Sequence, residues 1–201
     1  FDHRAVVREL QFDLERFEEA IWMMDSPRFD LEWIYKSALH HVMRSQAPDM
    51  RVVLLGQGAD EFAGGYSCRV DTAYERWGDY LTAEVADYWR ALETQRGRCN
   101  TAPSGDWSPY HRFMLLVRGQ LHHHNLWHED RTSSWHSLEA RVPFLDHRLV
   151  ELLASIPAAL HERLFWDKHI VRAALERFAP GFALPQPKIG FLHGNDLSSL
   201  H

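Results

Sequence analysis

Apolar positions recur at spacings of three and four along "LQFDLERFEEAIWMM" (10–24), where Leu10, Leu14, Phe17 and Ile21 share one stripe and predict an amphipathic helix. Pro27 breaks that run. "DLEWIYKSALHHVMR" (30–44) then predicts a second helix, with Asp30 as an N-cap that accepts from the unpaired amides of the first turn. The period changes at "RVVLL" (51–55), which is aliphatic and β-branched without alternation and predicts a short strand buried on both faces. Helix, crossover, buried strand and the following Gly-rich loop "GQGADEFAGGY" (56–66) together predict an α/β fold built on a parallel sheet. Beyond Tyr66 the pattern turns helical, over 71–97, 108–124, 133–140, 146–155 and 166–178. Asp146 stands where an N-cap belongs, ahead of the stripe Leu149, Leu152 and Leu153. "RGRCNTAPSGDWSP" (96–109) reads as a loop.

Composition narrows the class. The 201 residues suit one domain or a piece of a larger one, and 45% apolar with 25% charged residues is ordinary for a chain with a real core. A net charge of −6 argues against a nucleic-acid surface, which needs clustered Lys and Arg. Two cysteines, Cys68 and Cys99, are too few for a disulfide framework; they read as small apolar residues in a reducing cytoplasm. No apolar run is long enough to span a membrane, and no signal peptide opens the chain. The first residue is Phe rather than Met, so the sequence reads as an excerpt.

Candidate chemistry begins where the strand ends. Ligands of open α/β sheets bind beyond the carboxyl ends of strands. Gly56 and Gly58 fall there, where missing side chains let backbone N–H groups approach a phosphate, or where a strand-to-helix turn simply needs their dihedrals. Asp60 follows and suits a hard cation such as Mg²⁺. The segment 128–157 gathers Asp130, Arg131, Glu139, Arg141 and Asp146. Glu139 and Arg141 are expected to form a buried or half-buried ion network. Asp130 and Arg131 precede an expected helix start at Thr132 or Ser133, where they can meet a ligand. "LHHHNLWH" (121–128) places His124 and His128 at i and i+4 beside His122 and His123. With no Glu or Cys at a ligand spacing, a helix end carrying histidines near its C-terminal dipole is the expectation, rather than a metal site. Trp33, Trp127, Trp135 and Trp166 read as packing residues.

Four segments then resemble, in order, motifs of the asparagine synthetase family. "LLGQGADEFAGGY" is similar to that family's "SGEGADELFGGY", and "DRTSSWHSLEARVPFLDHRLVE" to its "DRxSMAxSLExRVPFLDxxLVE". "WDKHIVRAAL" (166–175) resembles its "KxxLRxA" helix and "PKIGF" (187–191) its "xKxGF" loop. The resemblance implies the C-terminal synthetase domain, an adenine-nucleotide α-hydrolase fold of the ATP-pyrophosphatase type. That domain would be partial here over 1–195, incomplete on its N-terminal side and largely helical in its C-terminal half, with a short tail at 196–201.

It further implies an ATP- and Mg²⁺-dependent ligase that activates a carboxylate, first of all the aspartate β-carboxylate, as an acyl-adenylate. Ammonia or another amine would then displace AMP, with glutamine as donor through an upstream N-terminal glutaminase domain. By resemblance Asp60 is a Mg²⁺ ligand, Gly56, Gly58 and Glu61 line the nucleotide site, and Lys188 lies against pyrophosphate or adenylate. Asp130 and Arg131 shape the site near the intermediate. Lys168 and Arg172, at i and i+4 on one expected helix face, reach either anionic groups or solvent.

Two departures qualify what is implied. Gln57 stands where the family has Glu, or Tyr in its β-lactam-forming branch, and an amide offers no useful proton chemistry. This opens the alternatives of an amidotransferase or macrolactam cyclase acting on another carboxylate, or a non-catalytic remnant. The family's "SGGxDS" pyrophosphate loop and its N-terminal Cys are not found in the 201 residues, which are expected to be a fragment inactive alone.

Overall fold

Helices α1 (Leu14–Met24) and α2 (Leu31–Gln46) form where the spacing of three and four predicts them. This computed structural model describes residues 14–26, 30–68, 74–95 and 108–182; Leu10, Pro27, Cys99 and nearly all of the 96–109 stretch lie outside them. Asp30 caps α2 as expected, its Oδ1 accepting from Glu32 N–H at 2.9 Å. Strand β1 (Val52–Leu54) is followed by α3 (Ala59–Ala63), α4 (Trp77–Gln95), α5 (Pro109–Gln120), a π-helical turn (Leu121–Asn125) and α6 (Leu126–Trp135). Strand β2 (Glu139–Arg141), a 3₁₀ turn (Pro143–Leu145), α7 (His147–Ser155), α8 (His161–Phe165) and α9 (His169–Phe178) complete the order.

β1 and β2 pair in parallel, in the register Val52–Glu139, Val53–Ala140 and Leu54–Arg141. Among the described residues the sheet has these two strands, so the parallel pairing is found within a mostly helical chain. The expectation of a strand buried on both faces is corrected. Val53 is 7% exposed but Leu54 is 72% exposed, because the pleat sends alternate side chains to opposite faces. The expected helix over 133–140 is also corrected. α6 begins earlier, at Leu126, and ends at Trp135; Ser137 turns left-handed (φ 58°), and Leu138 N–H donates back to Ser133 O at 3.0 Å. The next three residues are extended because the β1 edge offers them a ladder, continued by Glu139 N–H to Arg51 O and Leu55 N–H to Arg141 O, each 2.8 Å. Pairing with a distant strand overrides a helix-compatible local sequence.

The chain divides into two units, one comprising residues 1–55 and 122–141, the other 56–121 and 142–201. In the first, α1, α2 and α6 pack on one another and α6 packs on β2. Ala20, Met23, Met24, Trp33 and Ile34 form its core, with Trp127 edge-on to Trp33 at 5.5 Å. Phe17 and Ile21 are only half-buried, since the face of α1 that meets Trp33 and Ile34 is offset by part of a turn from the expected stripe. Trp33 is a packing residue as expected, Trp127 and Trp166 are half-buried, and Trp135 is exposed, with its indole N–H on Glu19 Oε1 at 2.8 Å.

In the second unit α3 lies among α5, α7 and α9, and α4 packs against α5 and α8. Phe165 is fully buried there in a ring cluster, with Tyr110 and Trp77 centroids each at 5.3 Å and His161 at 4.9 Å. Asp146 caps α7 through Arg148 N–H at 2.9 Å. Of the α7 stripe, Leu153 is buried whereas Leu152 is 58% exposed. The helix expected over 166–178 is broken at its start. Asp167 and Lys168 both adopt left-handed dihedrals, with φ of 50° and 55°, and α9 begins after them.

Candidate active site

The glycines of 56–66 separate into two kinds. Gly58 opens α3 at φ 95°, and Gly64 ends it at φ 85°, where an added Cβ would come within 2.1 Å of Phe165 O. At Gly65 a Cβ would lie 2.1 Å from Asp60 Oδ1. These positions let the backbone pass close to Phe165 and to the Asp60 carboxylate. Gly56 differs: it is exposed, and a Cβ there would meet nothing within 4 Å among the described residues. Between them Gln57 is half-buried.

Glu61 is buried and braces this loop. Its Oε2 accepts from Gly58 N–H and its Oε1 from the Tyr66 hydroxyl, both at 2.9 Å. Burial, then the charges of Glu61 and Asp60, push the Tyr66 phenol well above its ordinary range, so it stays a proton donor to Glu61. Asp60 is one residue away on the same short helix. Its side chain is 15% exposed, and Oδ1 accepts from the Lys168 ammonium.

The backbone break at 167–168 is what delivers that ammonium. Asp167 N–H donates to the buried Ser67 hydroxyl at 3.0 Å, and Ser67 donates to Gly64 O at 2.7 Å, which ties the break to the glycine turn. Arg172, on the first turn of α9, donates from Nε to Asp167 O at 2.9 Å and from Nη2 to Asp167 Oδ1 at 3.1 Å. The expectation of one helix face shared by Lys168 and Arg172 is therefore corrected. Lys168 precedes α9 in a left-handed conformation, which non-glycine residues hold only when the surroundings over-determine it. Nothing in the sequence pattern points to Ser67, and the one signal at Asp167 is that Asp tolerates left-handed dihedrals.

Asp130 and Arg131 sit in mid-α6, exposed, because the helix starts four residues before Asp130; Asp130 borders an open hollow with Ser26, His122, His123, Leu126 and Trp127. Glu139 and Arg141 do pair at 2.8 Å, but at 63% and 60% exposure rather than in a buried network. Lys188 lies outside the described residues.

A polar cluster that sequence spacing did not show occupies the first unit. The Lys36 ammonium meets Glu32 Oε1 at 2.8 Å, Glu129 Oε1, and His128 Nε2 at 3.0 Å. Glu129 and His128 are buried. Burial first, then Lys36 and His124, lower the His128 pKa to about 4. The expected helix end at 121–128 is not there: backbone dihedrals at Leu121 and Asn125 are helical, and the histidines sit in a π turn that runs on into α6.

The family model for asparagine synthase matches residues 1–198. The chain belongs to the asparagine synthase family. Its relatives include glutamine-hydrolyzing asparagine synthetase 2 of Bacillus subtilis strain 168, 32% identical over 208 residues, covering 93% of this chain and 28% of the relative. Asparagine synthetase 3 of the same organism is 29% identical over 206 residues, covering 92% and 33%. Amidase chry2 of Gibberella zeae is 24% identical over 236 residues, covering 82% and 35%. The chain thus spans about a third of the length of the curated relatives it matches. No solved structure matches. Among the described residues, no helix is long and apolar enough to cross a membrane.

Proposed function

We infer that the protein containing this chain joins a carboxylate to nitrogen at the cost of ATP, forming AMP and pyrophosphate. Aspartate is the first candidate substrate, with asparagine as product, and glutamine-derived ammonia is the nitrogen source through a glutaminase domain elsewhere in the protein. On this reading the second unit is part of a cytoplasmic, ATP-pyrophosphatase-type nucleotide domain. The observation that carries it is Asp60. Its carboxylate stands two residues after the Gly56–Gln57–Gly58 loop, in partial contact with solvent, and already holds a cation, the Lys168 ammonium.

That donor set suits Mg²⁺ on polyphosphate, which takes one or two carboxylates and keeps several waters. Bound there, the ion would offset charge on the phosphate oxygens. The chain's own residues do the rest. Gly56 leaves open space beside the backbone where a phosphate can approach. Glu61 holds Gly58 and Tyr66 in place, so the loop is fixed before nucleotide arrives. Lys168 follows the developing negative charge as a mobile point charge, and Arg172 holds the Asp167 turn that aims it. Lys188 is proposed to meet pyrophosphate or adenylate, and Asp130 with Arg131 to shape the site near the intermediate.

Gln57 favours a second reading, in which another carboxylate and amine are joined, because an amide at this position offers no base. The test is AMP and pyrophosphate release by the complete protein with ATP, Mg²⁺ and aspartate. Asp60→Ala should lower it by about a hundred-fold. Unchanged release would remove Asp60 from the site, and release that needs an amine other than ammonia would favour the second reading.

A further inference from the structure

We propose that Glu32, His124 and His128 form a binding site for a borderline divalent cation of the Zn²⁺ type. One carboxylate oxygen and one imidazole nitrogen from each histidine lie within 4.8 Å of one another. His124 and His128 are four apart on one continuous helical run, the spacing that lets two imidazoles reach one ion, and Glu32 is supplied by α2 packed alongside. The histidine rings stand 4.7 Å apart between centroids. Bonds of about 2.0–2.1 Å would set tetrahedral ligand atoms about 3.3 Å apart, so closing the set needs a movement of at most about 1.5 Å. Side-chain rotation of Glu32 and His124, both partly exposed, provides it.

A second observation points to a ligand independently. His128 is fully buried, and its Nδ1 has no hydrogen-bond partner among the described residues. Such an atom costs free energy unless something fills its lone pair or accepts its proton. The ring's other nitrogen, Nε2, meets the Lys36 ammonium, which also draws Glu32 and Glu129. The cluster thus already gathers acceptors around one positive charge. A metal bound through Nδ1 would satisfy the unpartnered atom; one bound through Nε2 would take the place of Lys36. Asp30 Oδ2, 4.0 Å from His124 Nε2, is placed to orient that ring, as carboxylates do behind metal-bound imidazoles. Two imidazoles and one carboxylate leave a fourth position for water, and this mixed set selects Zn²⁺, Co²⁺ or Ni²⁺ over Mg²⁺ or Ca²⁺. The site lies in the first unit and shares no residue with the Asp60 loop.

The test is titration of the chelator-treated chain with Co²⁺, read by visible d–d absorption, followed by displacement with Zn²⁺. One Co²⁺ per chain with a tetrahedral spectrum is expected, displaced by about one equivalent of Zn²⁺. Glu32→Gln and His124→Ala, both at partly exposed positions, should each weaken binding by about ten-fold or more while the far-UV circular dichroism stays unchanged. The double variant His122→Ala/His123→Ala, at exposed neighbours on the same turn, should bind as the parent does. Absence of the band at a hundred-fold excess of Co²⁺ would overturn the proposal. So would binding that survives His124→Ala but is lost in the double variant, which would mark adventitious capture by surface histidines.

Discussion

Acidification should destabilise the first unit through His128. In the folded chain this imidazole has a pKa of about 4, lowered first by burial and then by Lys36 of α2 and by His124, against the opposing pull of Glu129 and Asp30. Unfolded, it titrates near 6.5. A histidine whose folded pKa is depressed binds fewer protons when folded. The unfolded state is therefore favoured as pH falls through 6.5, and the loss levels off below about 4. Integrating that difference, His128 alone removes about 2 kcal/mol of stability between pH 7 and 5, and about 3 kcal/mol by pH 4. His40, also buried and also lowered by burial, adds loss of the same sign. Urea unfolding at pH 7, 6 and 5, followed by circular dichroism, should show the drop in the parent chain. His128→Gln should flatten it by about 2 kcal/mol at pH 5, since carboxylate titrations common to both chains cancel. Parallel profiles for the two chains, or a His128 ring titration with its NMR midpoint near 6.5, would refute the reasoning.

Two further substitutions test the packing around the Asp60 loop. Gly64→Ala forces a left-handed alanine and a Cβ 2.1 Å from Phe165 O, so a loss of about 3 kcal/mol or more is expected as a lowered urea midpoint; a loss below about 1 kcal/mol would mean the turn can move away. Phe165→Ala empties the centre of the ring cluster formed with Tyr110, Trp77 and His161, and should cost about 3–5 kcal/mol by the same measurement. A nearly neutral effect would show that the cluster refills the space.

The helix caps and the glycine turn were legible from local chemistry. Asp30 and Asp146 are N-caps because a short carboxylate beside a first turn has one obvious acceptor role, and both cap as expected. The Gly-rich run after β1 marks a strand-to-helix turn for the equally local reason that two of its residues need positive φ. Motif order along 52–191 pointed to the family that the family model then matched over residues 1–198.

Partners distant in sequence were not legible. Lys168 reaches Asp60 across 108 positions, through a backbone break that helical periodicity actively hides. Residues 139–141 are extended because β1 supplies a ladder, although the same sequence read alone favours a helix. His124 and His128 have no Glu or Cys at an established ligand spacing and acquire Glu32 only when α2 packs on α6. The sequence by itself determined caps, turns, the parallel pairing expected of β1 and the family, since these depend on residues a few positions apart or on motifs read in order. The tertiary structure alone decided which charges are buried, where helices stop, and which side chains meet, because burial and long-range pairing are properties of the packed chain rather than of any segment of it.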